Sequence, residues 1–222
     1  MNRFLEALDT PWKLWNRLHC WLTYPAARLL MALNGISWRR GWSFYGLPIV
    51  QKHRHSVMTF GEGFSLRSSA RSNPLAPNHP VVLSTLRAGA VLEIGCNFGM
   101  TGGSICVATR VTIGDNVAVG ANCVITDTDF HPLHPRARLL DPQNGKSAPV
   151  VIGDNVFIGM NSIILKGVTI GANSVIGAGS VVSRSIPAGC IAAGNPAVVI
   201  RSLDDLSAPF DEHARRNIIY SL

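Results

Sequence analysis

The chain has 222 residues, of which 47% are apolar and only 15% charged. That is enough apolar content for a buried core, which excludes a disordered chain, and one main domain with appendages is the expected organisation. The net charge of +7 is unevenly placed: residues 1 to 55 hold eight Lys or Arg against Glu6 and Asp9, leaving the rest almost neutral. No basic groove for nucleic acid is therefore expected in the main body.

The first element in the chain is a basic, Trp-rich segment over residues 1–55. All five tryptophans (Trp12, Trp15, Trp21, Trp38, Trp42) fall within it. From Thr10 to Leu33 the pattern reads as one or two amphipathic helices, with Thr10 as N-cap, Pro11 at the first helical position, Pro25 as a break, and Asn34 and Gly35 as the stop. Interleaved Trp and Arg suit a membrane interface, which would attach the chain peripherally to an anionic surface; equally, the helices suit a cap over the end of a repeat array. Arg17, Arg28 and Arg39 interrupt this segment, so no stretch reaches the roughly 18 apolar residues needed to span a bilayer. No signal peptide is apparent at the start. The five cysteines (Cys20, Cys96, Cys106, Cys123, Cys190) form no C-x-x-C pair and are odd in number. A reducing compartment is expected, with a cytoplasmic location that extends to peripheral contact, through residues 1–45, with the cytoplasmic face of the inner membrane.

Beyond residue 56 the sequence repeats every six residues. Aliphatic residues recur at Ile113, Val119 and Ile125, and again without a slip from Ile152 through Ile158, Ile164, Ile170 and Ile176 to Val182. Gly tends to follow each (Gly114, Gly120, Gly153, Gly159, Gly171, Gly177), the fourth position is Asn or Gly, and the fifth is small or β-branched. A period of six fits neither a helix nor a simple alternating strand. It fits a short strand followed by a tight corner, stacked coil on coil as a parallel β-solenoid over residues 56–201. Before Ile113 the repeat is weaker: Ile94, Met100 and Cys106 are six apart, and then one extra residue is expected to be absorbed at a corner. Residues 126–150 break the register altogether. This polar, proline-rich stretch contains His131 and His134 and is expected to be a loop ejected from the solenoid, where function concentrates. Residues 202–222 read as a tail with a short helix after Pro209.

Residues 90–201 resemble the left-handed β-helix acyltransferases, the hexapeptide-repeat family that includes maltose, galactoside and surface-polysaccharide O-acetyltransferases. The resemblance rests on the repeat, on the loop that begins D-T-D-F-H-P, and on the closing SRSIPAGCIAAGNPAVVIR. It implies an all-β left-handed parallel β-helix, a homotrimer with active sites between subunits, acetyl-CoA as co-substrate, no metal, and a sugar or lipid-linked saccharide as acceptor. The Trp-rich start looks most like the polysaccharide-biosynthesis members.

In that family, the histidine at the start of the ejected loop takes the proton of the acceptor hydroxyl, and His131 sits at that position. Imidazole is suited to the task near neutral pH. Asp129, two residues earlier, falls on the same side of an extended segment and is placed either to orient the imidazole or to cap the loop's own backbone. The resemblance puts Asn97 and Thr101 on the acceptor side, Phe157, Met160 and Ala178 along the pantetheine arm, and Ser183, Arg184 and Arg201 at the nucleotide phosphates. A backbone N–H is expected to hold the oxyanion. Three alternatives stay open: N-acetyl transfer to a nucleotide-linked amino sugar, a metal enzyme of the γ-carbonic anhydrase kind, and a non-catalytic scaffold. The second needs three histidine ligands, but past residue 90 only His131, His134 and His213 occur.

Overall fold

The six-residue spacing becomes structure through its fourth position. Asn97, Asn116, Asn122, Asn155, Asn161 and Asn173 all adopt φ between 57° and 61°, with Gly167 and Gly179 at 75° and 69°, the left-handed region that Asn and Gly tolerate best. Each turns the chain sharply after a short strand. In the computed structural model, which describes residues 9–204, the coils stack into three sheets of eight, six and five strands, parallel throughout except for the antiparallel closing strand of the first. Every third aliphatic position therefore falls in one column. Ile113, Ile152 and Ile170 pair on the third sheet, Val119, Ile158 and Ile176 on the first, and Ile125, Ile164 and Val182 on the second. None of these nine side chains is more than 4% exposed.

The other repeat positions have equally local reasons. The glycine after each aliphatic residue allows the next coil to approach: a Cβ at Gly159 would lie 2.5 Å from the Ala178 nitrogen. At the fifth position the hydroxyls of Ser162 and Ser180, fully buried, donate to the Gly159 and Gly177 carbonyls at 2.8 and 2.6 Å, which removes the penalty of burying a polar group. Along one edge Asn97, Asn116, Asn155 and Asn173 form a ladder, each amide donating to the next at 2.9–3.1 Å.

The sequence expectations need three corrections. The solenoid starts at Ser43 rather than residue 56: Ser43–Tyr45 pairs in parallel with Ser65–Arg67 and Ile49–Lys52 with Val82–Thr85. This first coil lacks the Gly-Asn signature that marks the later ones. Cys106 does not point inward; Ile105 and Val107 do. Consecutive positive-φ residues Gly102 and Gly103 bring Ile105 only five residues after Met100, and the following corner is two residues longer than the repeat, which leaves the one extra residue. Pro25 does not end a helix. Helix α1 runs unbroken over Pro11–Leu33, and near the proline Thr23 Oγ1 donates to the Phe44 carbonyl at 2.6 Å, fixing the helix to the first coil. Asn34 and Gly35, the latter at φ 66°, end it as expected. The short C-terminal helix expected after Pro209 lies outside the described residues.

One side of α1 caps the open end of the solenoid. Ala27 and Met31 are fully buried and join Ile36, Trp42 and Phe44 in the core. Below them the aromatic rings continue inward, Phe60 stacked on Phe64 at 4.5 Å and Phe64 on Phe98 at 5.5 Å.

Candidate active site

The ejected loop leaves between Thr126 on the second sheet and Val150 on the third, and Asp127 anchors it. This carboxylate is fully buried and accepts from the backbone N–H groups of Ala108, Thr109 and Arg110 at 2.6, 2.6 and 2.8 Å and from the Thr109 hydroxyl at 2.7 Å. Buried charge requires such donors. The lengthened corner before Ile113 and the loop that follows are thus parts of one feature. A short antiparallel stem continues outward: Thr128 bridges Ser147, and the Asp129 N–H donates to the Lys146 carbonyl at 2.9 Å.

At the top of the stem Phe130, at φ 61°, turns the chain and presents His131 on the exposed surface. Its Nδ1 lies 2.6 Å from the Pro142 carbonyl oxygen. A carbonyl only accepts, so Nδ1 carries the proton and Nε2 is left as the basic nitrogen of the neutral ring. The Pro142 carbonyl therefore orients the imidazole, and Asp129 does not. Lys166, one coil further along the same edge, binds Asp129 Oδ1 at 2.6 Å. Cross-coil stacking offers Asp129 a cation that two-residue spacing could not reveal. His134 serves as the N-cap position of a one-turn helix, α2, over Pro135–Leu140.

The returning arm of the loop passes directly over the backbone at His131. A Cβ on Gly145 would lie 2.6 Å from the Phe130 carbonyl carbon and 2.7 Å from the His131 nitrogen, closer than backbone atoms permit. Gly145→Ala is expected to displace His131 and lower kcat at least tenfold while moving the unfolding midpoint little, since the loop lies outside the core. Steady-state kinetics beside a denaturation curve checks this.

A second feature lies on the outer surface of the first sheet. Gly99, Ala118, Phe157 and Val175 floor a groove of about 700 Å³ that also takes in Met160, Gly177 and Ala178 at the neighbouring corner. Asn97 and Thr101 line its far end, so the structure brings together five of the residues expected for acceptor and pantetheine. Asn97 also heads the asparagine ladder. Residues 68–81, Ser-, Asn- and Pro-rich, form a second excursion that sequence reading missed, and they supply Asn73 and Leu75 to this end of the groove. Asn73 Nδ2 donates to Thr101 Oγ1 at 3.3 Å. Arg67, stacked 4.3 Å over Tyr45, borders the same end. Leu66 and Leu83 are consecutive core positions of one coil, but no six-residue register runs up to Leu66, so the sequence did not mark the gap.

Three expected residues stand apart from the groove. Ser183 and Arg184 are exposed, just after Val182 on the second sheet and so on the edge that carries the ejected loop. Arg201 lies on the closing strand Ala197–Ser202, opposite Ile191 and exposed. Within one chain His131 and the groove therefore occupy different sides of the solenoid. Among the described residues no group of three His, Cys, Asp or Glu is arranged to hold a metal ion.

Fold and site together define a three-sided parallel β-helix with an anchored histidine loop and an apolar groove. Residues 149–184 match the bacterial transferase hexapeptide (six repeats) model. The galactoside O-acetyltransferase of Escherichia coli K12 is 45% identical over 123 residues, covering 53% of this chain and 57% of that protein. A solved galactoside acetyltransferase in complex with coenzyme A is 32% identical, covers 78% of this chain and 69% of its own, and superposes with a TM-score of 0.50. An N-acyltransferase from Bacillus cereus bound to dTDP-4-amino-4,6-dideoxyglucose and coenzyme A superposes with a TM-score of 0.54 at 16% identity, a likeness of fold. The chain belongs to the hexapeptide-repeat acetyltransferase family, and its solenoid is the left-handed parallel β-helix of that family. It spans about half the length of the curated relatives it matches.

Proposed function

We propose that this protein is an acetyl-CoA-dependent O-acetyltransferase acting on a sugar in surface-polysaccharide biosynthesis, with His131 as general base. The observation that carries the reading is the imidazole fixed by the Pro142 carbonyl, with Nε2 basic, on an exposed and anchored loop. The acceptor hydroxyl gives its proton to Nε2 as its oxygen attacks the thioester carbonyl. The C–S bond then breaks, the ester forms, and the imidazolium returns the proton to the departing CoA sulfur. The apolar groove suits a pantetheine arm, with Phe157, Met160 and Ala178 beside it and Asn97 and Thr101 toward the acceptor; Ser183, Arg184 and Arg201, outside the groove within one chain, offer hydroxyl and guanidinium donors to phosphate.

The separation of base and groove supports a homotrimer in which one copy's loop completes the neighbour's groove, as ring-forming contacts allow. Leu133, Leu139 and Leu140 at the loop tip are 74–85% exposed in a single chain, apolar surface that such docking would cover. The free state of all five cysteines supports a cytoplasmic setting. Assay of the purified protein with acetyl-CoA and either neutral oligosaccharides or nucleotide-linked amino sugars, with thiol release as readout, tests the reaction. Turnover of hydroxyl acceptors is expected; turnover of amino sugars alone would replace this reading with N-acetyl transfer.

A further inference from the structure

Helix α1 is amphipathic in an inverted sense. The side turned to the solenoid carries Asn16, Cys20, Thr23 and Ala27, whereas Leu14, Trp15, Leu18, Trp21, Leu22 and Leu29 recur at helical spacing on the opposite side and are 43–73% exposed. Over 23 residues this outer face runs about 35 Å at 1.5 Å per residue. An uninterrupted exposed apolar stripe of that length marks a contact surface. No helix among the described residues is long and apolar enough to cross a membrane. Residues 10–55 contain seven Lys or Arg and no Asp or Glu. Of these, Arg17 and Arg28 flank the stripe, and Arg39 and Arg40 lie exposed just past its end.

We propose that α1 lies flat in the headgroup region of a bilayer containing anionic lipid, with its outer face inserted and its inner face holding the solenoid. Charge decides the occupant. Against a second copy of the same helix the basic residues would face like charge, whereas an anionic surface pairs with them, each contributing roughly a fivefold gain in partitioning (about 1 kcal/mol). Trp15 and Trp21 are suited to the headgroup level, where aromatic rings with a polar N–H accumulate. The helix thereby serves as cap and anchor at once, and the acetyltransferase body would work beside acceptors held at that surface.

Co-sedimentation of the full chain with vesicles is the test. Phosphatidylcholine–phosphatidylglycerol vesicles are expected to carry the protein down, and phosphatidylcholine alone or high salt to leave at least about tenfold less bound. Leu18→Glu/Leu22→Glu, both solvent-exposed and good helix formers, should lose binding at least about tenfold while keeping the wild-type circular dichroism and oligomeric mass. Arg17→Glu/Arg28→Glu should lose the preference for anionic vesicles. Equal sedimentation of wild type and the Leu variant would overturn the proposal. So would a drop in oligomeric mass of the Leu variant in lipid-free solution, which would make the face a contact between copies.

Discussion

Replacing His131 by Ala is expected to lower kcat/KM for acetyl transfer about 10²–10⁴-fold, the usual contribution of a positioned general base, equivalent to about 3–5 kcal/mol of barrier. Folding should be untouched, because the side chain is exposed and its hydrogen-bond partner, the Pro142 carbonyl, sits at the exposed loop surface where water can replace the ring. Binding of CoA should also persist, since the groove of Phe157, Met160 and Ala178 does not include His131. Isothermal titration with CoA beside the kinetic assay separates the two effects. Asp129→Asn should cost far less in turnover, because the Asp129 carboxylate partners Lys166 rather than the imidazole. If Asp129→Asn matched His131→Ala, the orienting role assigned to the Pro142 carbonyl would be wrong.

The second large effect concerns stability. Asp127→Ala removes the acceptor of four hydrogen bonds at a fully buried site and leaves three backbone N–H groups and the Thr109 hydroxyl without it. Of the four bonds only that from Ala108 is fully buried, the others being part-buried; at about 1–3 kcal/mol per unsatisfied donor, partly relieved by water, a net loss of about 3–5 kcal/mol is expected. Urea denaturation reads it directly. Any folded remainder should be slow, because the stem that carries His131 grows from the same residue. A midpoint shift corresponding to under about 1 kcal/mol would show that Asp127 is not the anchor.

The solenoid was legible because one physical demand, a positive φ at a fixed place, writes itself as Asn or Gly every six residues. Legibility failed where that demand is met otherwise. Residues 43–60 form a complete coil whose first corner has a lone positive-φ Gly46 and whose second, over 53–56, has neither Gly nor Asn, so residues 43–55 read as part of the N-terminal segment. The excursion at 68–81 stood before the regular repeat and so interrupted no visible register, unlike the loop after Ile125. At the candidate site, His131 was legible as a histidine where the period breaks, but its orienting partner is a backbone carbonyl eleven residues away, and no side-chain pattern encodes one. The Lys166 partner of Asp129 likewise depends on coil stacking. Trp and Arg in α1 permitted both a cap and a membrane reading; the structure assigns the cap to one face of the helix and leaves the other face exposed.

The assignment of base and groove to different copies of the chain has a direct test. His131→Ala keeps an open groove, and Ala118→Trp, on the groove floor, keeps the base. Each alone should be inactive. Refolded together, and confirmed as mixed oligomers by native mass spectrometry, they should regain activity at roughly a quarter of the sites, those where an intact loop meets an intact groove by random pairing. Mixed oligomers that remain inactive would contradict a site shared between subunits and require base and groove to meet within one chain.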